Sequence, residues 1–136
     1  MNPGREIALV DYVGRRVGEP FTWGLVDCNV LGLECFDIVA GTALANLVRG
    51  RYATRLGALR FWRAHGGRIL GYAQAGAWRI GPRHMAVGDF VLASWRGVTA
   101  AHVCMGSHVA SATPERGVCL VRPRDLDPGW TAWRVF

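Results

Sequence analysis

A cysteine at the start of a predicted helix is the residue of this chain best placed to do chemistry. Pro20 breaks the segment before it, Trp23 and Gly24 indicate a turn, and Asp27 has the side chain typical of a helix N-cap. Cys28 is then the first helical residue, where the positive end of the helix dipole favours thiolate over thiol. The pattern predicts a nucleophilic thiol. The alternative is a small buried residue that begins a core helix.

A thiolate nucleophile needs a base to manage its proton and a third group to orient that base. His102 is the candidate base among the four histidines, because residues 100–105 read as a core strand and a polar ring there needs a partner. The alternative is a core histidine that bonds to a backbone carbonyl. His65 beside a helix end and His84 in a loop are weaker candidates.

Helices are predicted in the first half of the chain and strands in the second. The first helix is predicted over 4–17, with Ile7, Val10, Val13 and Val17 near one face. The second runs from Asp27 or Cys28 to Ala40, and Gly41 is the residue after its end. The third covers 54–65 and is ended by Gly66-Gly67. Residues 42–53 read as a connection with a short helix, and 68–87 as a loop with one or two helical turns. The strands cover 89–93, 99–105, 108–112, 118–121 and 130–136. This order predicts one α+β domain over residues 1–136, with an antiparallel sheet of about five strands.

Composition narrows the classes of function. The chain has 136 residues and is 51% hydrophobic, which excludes disorder, and no run reaches the length of a membrane span. The N-terminus has no apolar segment of the kind found in signal peptides. The charge is +6, and all 16 basic residues are scattered arginines, which does not favour a specific nucleic-acid binder. The four cysteines form no C-x-x-C pair, so we expect reduced thiols and no zinc ribbon.

The order of the landmarks resembles the NlpC-type cysteine peptidases, papain-like enzymes that hydrolyse amide bonds in the peptide stems of bacterial cell wall. The resemblance covers residues 5–135 and extends to a branch found in the tail modules of phages and gene-transfer particles. The landmarks are Pro20-Phe21, Trp23-Gly24, Asp27-Cys28, Gly88-Asp89, His102-Val103 and, for the phage branch, Arg49-Gly50-Arg51-Tyr52, Gly57-Ala58-Leu59-Arg60, Gly66-Gly67 and Ala132-Trp133-Arg134-Val135.

The resemblance implies a papain-like fold and a set of site residues. Cys28 matches the nucleophile, with its own N–H in the oxyanion hole, and His102 matches the general base. Ser111 is the closest match to the third, orienting residue, and His108 is the second. Asp89 matches a structural position that bonds the backbone of a turn. The mechanism of such enzymes needs no cofactor and no metal.

The resemblance also implies a place of action and leaves a second interpretation open. The partners would be peptidoglycan stems and the tail hub or tail-tip proteins, in a virion tail assembled in the bacterial cytoplasm. Phe21 stands where the family usually has a tyrosine that assists near the nucleophile, and an alignment on Gly106 would leave no matched base. The alternative is therefore a catalytically degenerate NlpC-like structural subunit of the tail tip or baseplate.

Overall fold

Three α-helices precede all six strands of an antiparallel sheet in the computed structural model, which describes residues 1–136. The helices are α1 (Pro3–Arg16), α2 (Cys28–Ala40) and α3 (Arg55–Ala75), and short 3₁₀ turns cover Leu44–Leu47, Pro82–His84 and Pro123–Asp125. The strands are β1 (Ala77–Ile80), β2 (Phe90–Trp95), β3 (Val98–Cys104), β4 (Val109–Thr113), β5 (Gly117–Val121) and β6 (Thr131–Val135), in the order β1-β6-β2-β3-β4-β5. The predicted α+β class is confirmed, and the sheet has six strands where about five were expected.

Helix α2 begins and ends where the sequence predicts. The Asp27 carboxylate accepts the Val30 N–H at 2.9 Å, which caps the first turn. Gly41 follows the last turn with a φ of 73°, in the left-handed region that glycine adopts without strain. Most of the residues between them are buried. The helix is therefore held at both ends and packed on several sides.

Helix α3 is longer than predicted. It begins after Thr54, whose hydroxyl accepts the Gly57 N–H at 3.0 Å, but it continues through Gly66-Gly67. A Cβ at Gly66 would lie 2.9 Å from the Trp62 ring, so the glycine makes room for that side chain. The last turns bury three apolar residues, Ile69, Leu70 and Ala73. This packing outweighs the roughly 1 kcal/mol that each helical glycine costs.

Strand β1 lies in the segment expected to be a loop. It pairs with β6, from Ala77 opposite Val135 to Ile80 opposite Ala132. Four residues carry too little periodicity to identify a strand, and the partner is more than 50 residues away in the chain. A long-range pairing, rather than a local preference, therefore makes this strand.

Helix α1 buries a different face from the one that the sequence predicts. Val13 is buried as expected, together with Leu9, but Ile7 is 71% exposed, and Val10 and Val17 are also exposed. The Arg16 guanidinium lies 3.6 Å from the Glu34 carboxylate of α2, which helps to fix this rotation. The amphipathic pattern alone favoured the wrong set of positions.

The core lies between α2 and the sheet. Phe36 of α2 contacts Phe90 of β2, with ring centroids 5.0 Å apart. A Cβ at Gly32 would lie 2.6 Å from the Ala101 carbonyl oxygen, so glycine allows α2 to approach β3 closely. None of the three helices combines the length and the apolar character needed to cross a bilayer. The close packing of α2 on β3 positions the residues described next.

Candidate active site

The Asp27 side chain organises the turn that leads into α2. Its Oδ1 atom accepts the Val30 N–H, and its Oδ2 atom accepts the Gly24 N–H at 2.9 Å and the Tyr52 hydroxyl at 2.7 Å. The carboxylate is buried, and all three donors are neutral. The first turn of α2, which carries Cys28, is thus fixed from three directions.

Gly24 is required by a close backbone approach. Its φ is 81°, and a Cβ there would lie 1.9 Å from the Tyr52 carbonyl oxygen. The Gly24 carbonyl also accepts the Gly50 N–H at 2.9 Å. The turn before Cys28 is therefore joined to the segment that carries Tyr52.

Asn29 fastens the start of α2 to β3. Its side-chain oxygen accepts the Ala101 N–H at 2.6 Å, and its side-chain nitrogen donates to the Thr99 carbonyl at 3.3 Å. Cys104 of the same strand bonds through both backbone groups to residues 88 and 89, on the β2 side. Because successive residues of a strand direct their backbone groups to opposite sides, Ala101 and Thr99 direct theirs towards β4.

Strand β4 does not take up those groups. The β3–β4 pairing covers only Val103 opposite Ala110 and Cys104 opposite Val109, and the two strands separate beyond it. Asn29 occupies the position that a neighbouring strand would take. The N-terminus of α2 therefore lies at the opening between β3 and β4.

His102 and Ser111 lie at the edge of the same opening. His102 of β3 and Ser111 of β4 are the first residues beyond the last pair of these strands, Val103–Ala110, and their side chains lie on the same face of the sheet. Ser111 in turn pairs with Cys119 of β5. This face is the one opposite to Ala101, whose side chain meets Gly32 of α2. The imidazole and the middle of α2 thus lie on different sides of the sheet.

A cavity of about 560 Å³ at the opening brings the three predicted site residues together, because Cys28, His102 and Ser111 all line it. Partly buried aromatic side chains and exposed charged ones form much of the remaining wall: Phe21, Trp23, Trp95, Arg55, Arg96, Glu115, Asp125 and Asp127. His108 is not among the lining residues. Its Nδ1 atom lies 2.9 Å from the Ser107 hydroxyl instead.

Burial opposes the thiolate that the helix position of Cys28 favours. Burial and then the charge of Asp27 raise the pKa of the Cys28 thiol to about 12. Hydrogen bonds from the backbone N–H groups of Cys28 and Asn29 act in the opposite direction. The helix N-terminus does favour the thiolate, as predicted, but desolvation is the larger effect.

The imidazole of His102 is also neutral. Burial lowers its pKa to about 4, although a hydrogen bond to the Ala110 backbone acts in the opposite direction. The Nδ1 atom of the ring is buried without any partner. A buried, unpaired ring nitrogen can accept a proton or a hydrogen bond that a bound molecule or a rearranged side chain supplies.

Three residues that support the site were missed at the sequence level: Asn29, Tyr52 and Trp62. Asn29 is a polar residue in a helix turn that is otherwise buried, and this is a signal that could have found it. Tyr52 belongs to the landmark 49–52, which the resemblance included without a role. No three His, Cys, Asp or Glu side chains converge to hold a metal ion, and all four cysteines are unpaired.

One family matches the chain over nearly its whole length. The family is described as "Domain of unknown function (DUF6950)", and its sequence model matches residues 2–135. No curated protein matches the chain.

Proposed function

The chain belongs to the DUF6950 family, and we propose that it is a cysteine peptidase or amidase of the papain-like, NlpC type that cuts the peptide stems of bacterial cell wall. One observation carries the proposal: Cys28, His102 and Ser111 line a single cavity, with Cys28 at the N-terminus of α2. A concave cavity in which polar side chains lie among aromatic and aliphatic ones is typical of a substrate site.

Because the Cys28 thiol and the His102 imidazole are both neutral, proton transfer between them has to accompany the attack. His102 takes the thiol proton as the Cys28 sulfur attacks the carbonyl carbon of a bound amide. The backbone N–H groups at the start of α2 stabilise the oxyanion that forms. The imidazolium then gives its proton to the leaving amine as the C–N bond breaks, and water hydrolyses the thioester to release the acid.

Ser111 is proposed to orient the base. Ser111 and His102 each lie just beyond the last β3–β4 pair and line the same cavity, and the Nδ1 atom of His102 has no partner. A hydroxyl that comes within reach of that nitrogen can accept a hydrogen bond from its N–H and fix the plane of the ring, which leaves Nε2 unprotonated. The other ring nitrogen is then available for the proton of the thiol.

The proposed place of action is a virion tail of the phage or gene-transfer type, with hub or tail-tip proteins as partners. Support comes from the landmarks of that branch, which have structural uses here. Tyr52 bonds to Asp27 at the start of α2. Arg134 bonds to the Asp89 carboxylate, which also accepts the Ala86 N–H at 2.7 Å in the turn before β2.

The test is hydrolysis of purified peptidoglycan by the isolated protein, with the released peptides measured by mass spectrometry. Cys28→Ala should reduce hydrolysis by at least about 1,000-fold, because Cys28 is the one cysteine that lines the cavity. The matched control is Cys104→Ala, since the Cys104 sulfur contacts the Gly106 backbone and does not line the cavity. Wild-type hydrolysis by Cys28→Ala would overturn the proposal.

A second candidate function is a structural subunit of the tail tip or baseplate. Two observations favour it. Phe21 stands where the NlpC-type peptidases usually have a tyrosine, and burial keeps both Cys28 and His102 neutral. This candidate predicts that the purified wild-type protein hydrolyses nothing and that particles carrying Cys28→Ala retain wild-type infectivity. Loss of infectivity with an intact particle would count against it.

A further inference from the structure

A buried chain of hydrogen bonds runs from α3 to the start of α2. The Trp62 indole donates to the Tyr52 oxygen at 3.0 Å, and the Tyr52 hydroxyl donates to the Asp27 carboxylate at 2.7 Å. All three side chains are buried. The next residue after Asp27 is Cys28, so this chain ends one residue from the proposed nucleophile.

The position of Asp27 creates an electrostatic conflict. Its negative charge caps α2, but it also disfavours a second negative charge on the adjacent sulfur. None of the ion pairs in the protein includes Asp27. The carboxylate is therefore compensated only by neutral donors, among which Tyr52 is the one side chain.

We propose, on the basis of the proposed function, that Tyr52 is a positioning residue which holds Asp27 and draws its charge away from the Cys28 sulfur. A hydroxyl that donates to a carboxylate oxygen stabilises negative charge on that oxygen. Without this donor, Oδ2 would keep only the Gly24 N–H, and the Trp62 indole would lose its acceptor. The thiolate of Cys28 would then form less readily.

Tyr52 can play this role at any pH at which the protein is used. Burial raises its pKa far above the ordinary value for tyrosine, so the hydroxyl keeps its proton and remains a donor. The other titratable or charged groups that face the cavity come from several elements: Arg55 of α3, Arg96 of the β2–β3 turn, His102 of β3, Glu115 of the β4–β5 turn, and Asp125 and Asp127 after β5.

The experiment measures alkylation of Cys28 by iodoacetamide from pH 7 to pH 10, with peptide mapping to separate it from the other cysteines. Well below the thiol pKa, the rate is proportional to the fraction of thiolate. Tyr52→Phe should slow alkylation of Cys28 by about tenfold at each pH, which corresponds to a rise of about one pKa unit. Asp27→Asn, which removes the charge, should accelerate it.

A double-mutant cycle supplies the decisive comparison. If Tyr52 acts through the charge of Asp27, Tyr52→Phe should have no effect on the alkylation rate in an Asp27→Asn background. A reduced thermal midpoint with an unchanged alkylation rate would show that Tyr52 is only structural and would overturn the proposal. An equal slowing in both backgrounds would overturn it too.

A second variant keeps the test available if Tyr52→Phe does not fold. Trp62→Phe retains the Tyr52 hydroxyl but removes the donor that polarises it, so we expect a two- to threefold slowing that Asp27→Asn abolishes. No slowing in this variant would contradict the proposal. The readout is the reactivity of one thiol, so a protein that hydrolyses no peptidoglycan would refute the proposed function and still test this inference.

Discussion

Two buried aspartates of this chain are held in opposite ways. Asp89 accepts two hydrogen bonds from the Arg134 guanidinium, at 3.0 and 2.8 Å, and its charge is neutralised by that cation. Asp27 is equally buried but has only neutral donors. The first carboxylate joins β6 to the turn before β2 and does not line the cavity. The second lines the cavity and precedes Cys28 in the chain.

The difference indicates what each region is built for. A carboxylate that is paired with a guanidinium, such as Asp89, has its charge compensated within the fold. The uncompensated charge of Asp27 caps α2 but disfavours a thiolate on the adjacent Cys28. The carboxylate therefore fixes the local backbone at the expense of the reactivity of the neighbouring thiol.

The largest effect is expected where the compensated carboxylate loses its cation. Arg134→Met leaves Asp89 buried with one backbone donor, and we expect the free energy of unfolding to fall by about 3 kcal/mol. This value is at the low end for a buried pair because the Arg134 side chain is 36% exposed. Urea unfolding measures it, with Arg83→Met as the control, since Arg83 is exposed and belongs to no ion pair. Equal stability of the two variants would remove the contrast between the aspartates.

A smaller effect on stability is expected from the buried imidazole of His102. Burial lowers the pKa of His102 to about 4 from an ordinary value of 6.5, so between these values the unfolded chain binds the proton more readily. Stability should therefore fall as the pH decreases through this window, by about 2 kcal/mol from this residue at pH 5. Unfolding of the wild type and of His102→Gln at pH 7 and pH 5 measures this contribution.

The difference between pH 7 and pH 5 should be smaller in His102→Gln by that amount. His108→Gln serves as the matched control, because His108 lies outside the cavity, and it should keep the wild-type difference. If the wild type and His102→Gln lose the same stability between pH 7 and pH 5, the imidazole is solvated.

The smallest effect is expected at the uncompensated carboxylate. Asn is as good an N-cap as Asp, but Asp27→Asn removes the oxygen that accepts from both the Gly24 N–H and the Tyr52 hydroxyl. It should cost about 1 kcal/mol, because the hydroxyl can turn and accept from the new amide, which leaves the Gly24 N–H as the main loss. The matched change Asp89→Asn should cost about 2 kcal/mol, because it also breaks an ion pair with Arg134. Urea unfolding at pH 7 compares the two. The reverse order would show that Asp27 has a cationic partner in solution.

Local signals predicted the start of α2 and the strands of the second half. Asp27 and Gly41 are residue types with strong positional preferences, and the glycine between β3 and β4 marks a turn that sets their register. The prediction that Asp89 bonds the backbone of a turn is confirmed by its bond from Ala86. Its pairing with Arg134 was not predicted, since 45 residues separate the two side chains.

The remaining features depend on contacts that a sequence pattern does not contain. The predicted end of α3 was wrong because Gly66 makes room for the Trp62 ring within the helix. The predicted buried face of α1 was wrong because contacts with α2 fix the rotation of the helix. Burial also reversed the expected pKa of Cys28. Desolvation depends on everything that surrounds an atom, whereas the helix dipole depends on one element.

Asn29 sets a limit on how this scaffold can change. Its amide donates to Thr99 and accepts from Ala101, and both bonds lie where β3 has no neighbouring strand. Aspartate would present a second acceptor to the Thr99 carbonyl, leucine would satisfy neither group, and glutamine is one methylene too long. A redesign of the cavity must therefore keep this amide, because without it two backbone groups of β3 would lose their partners.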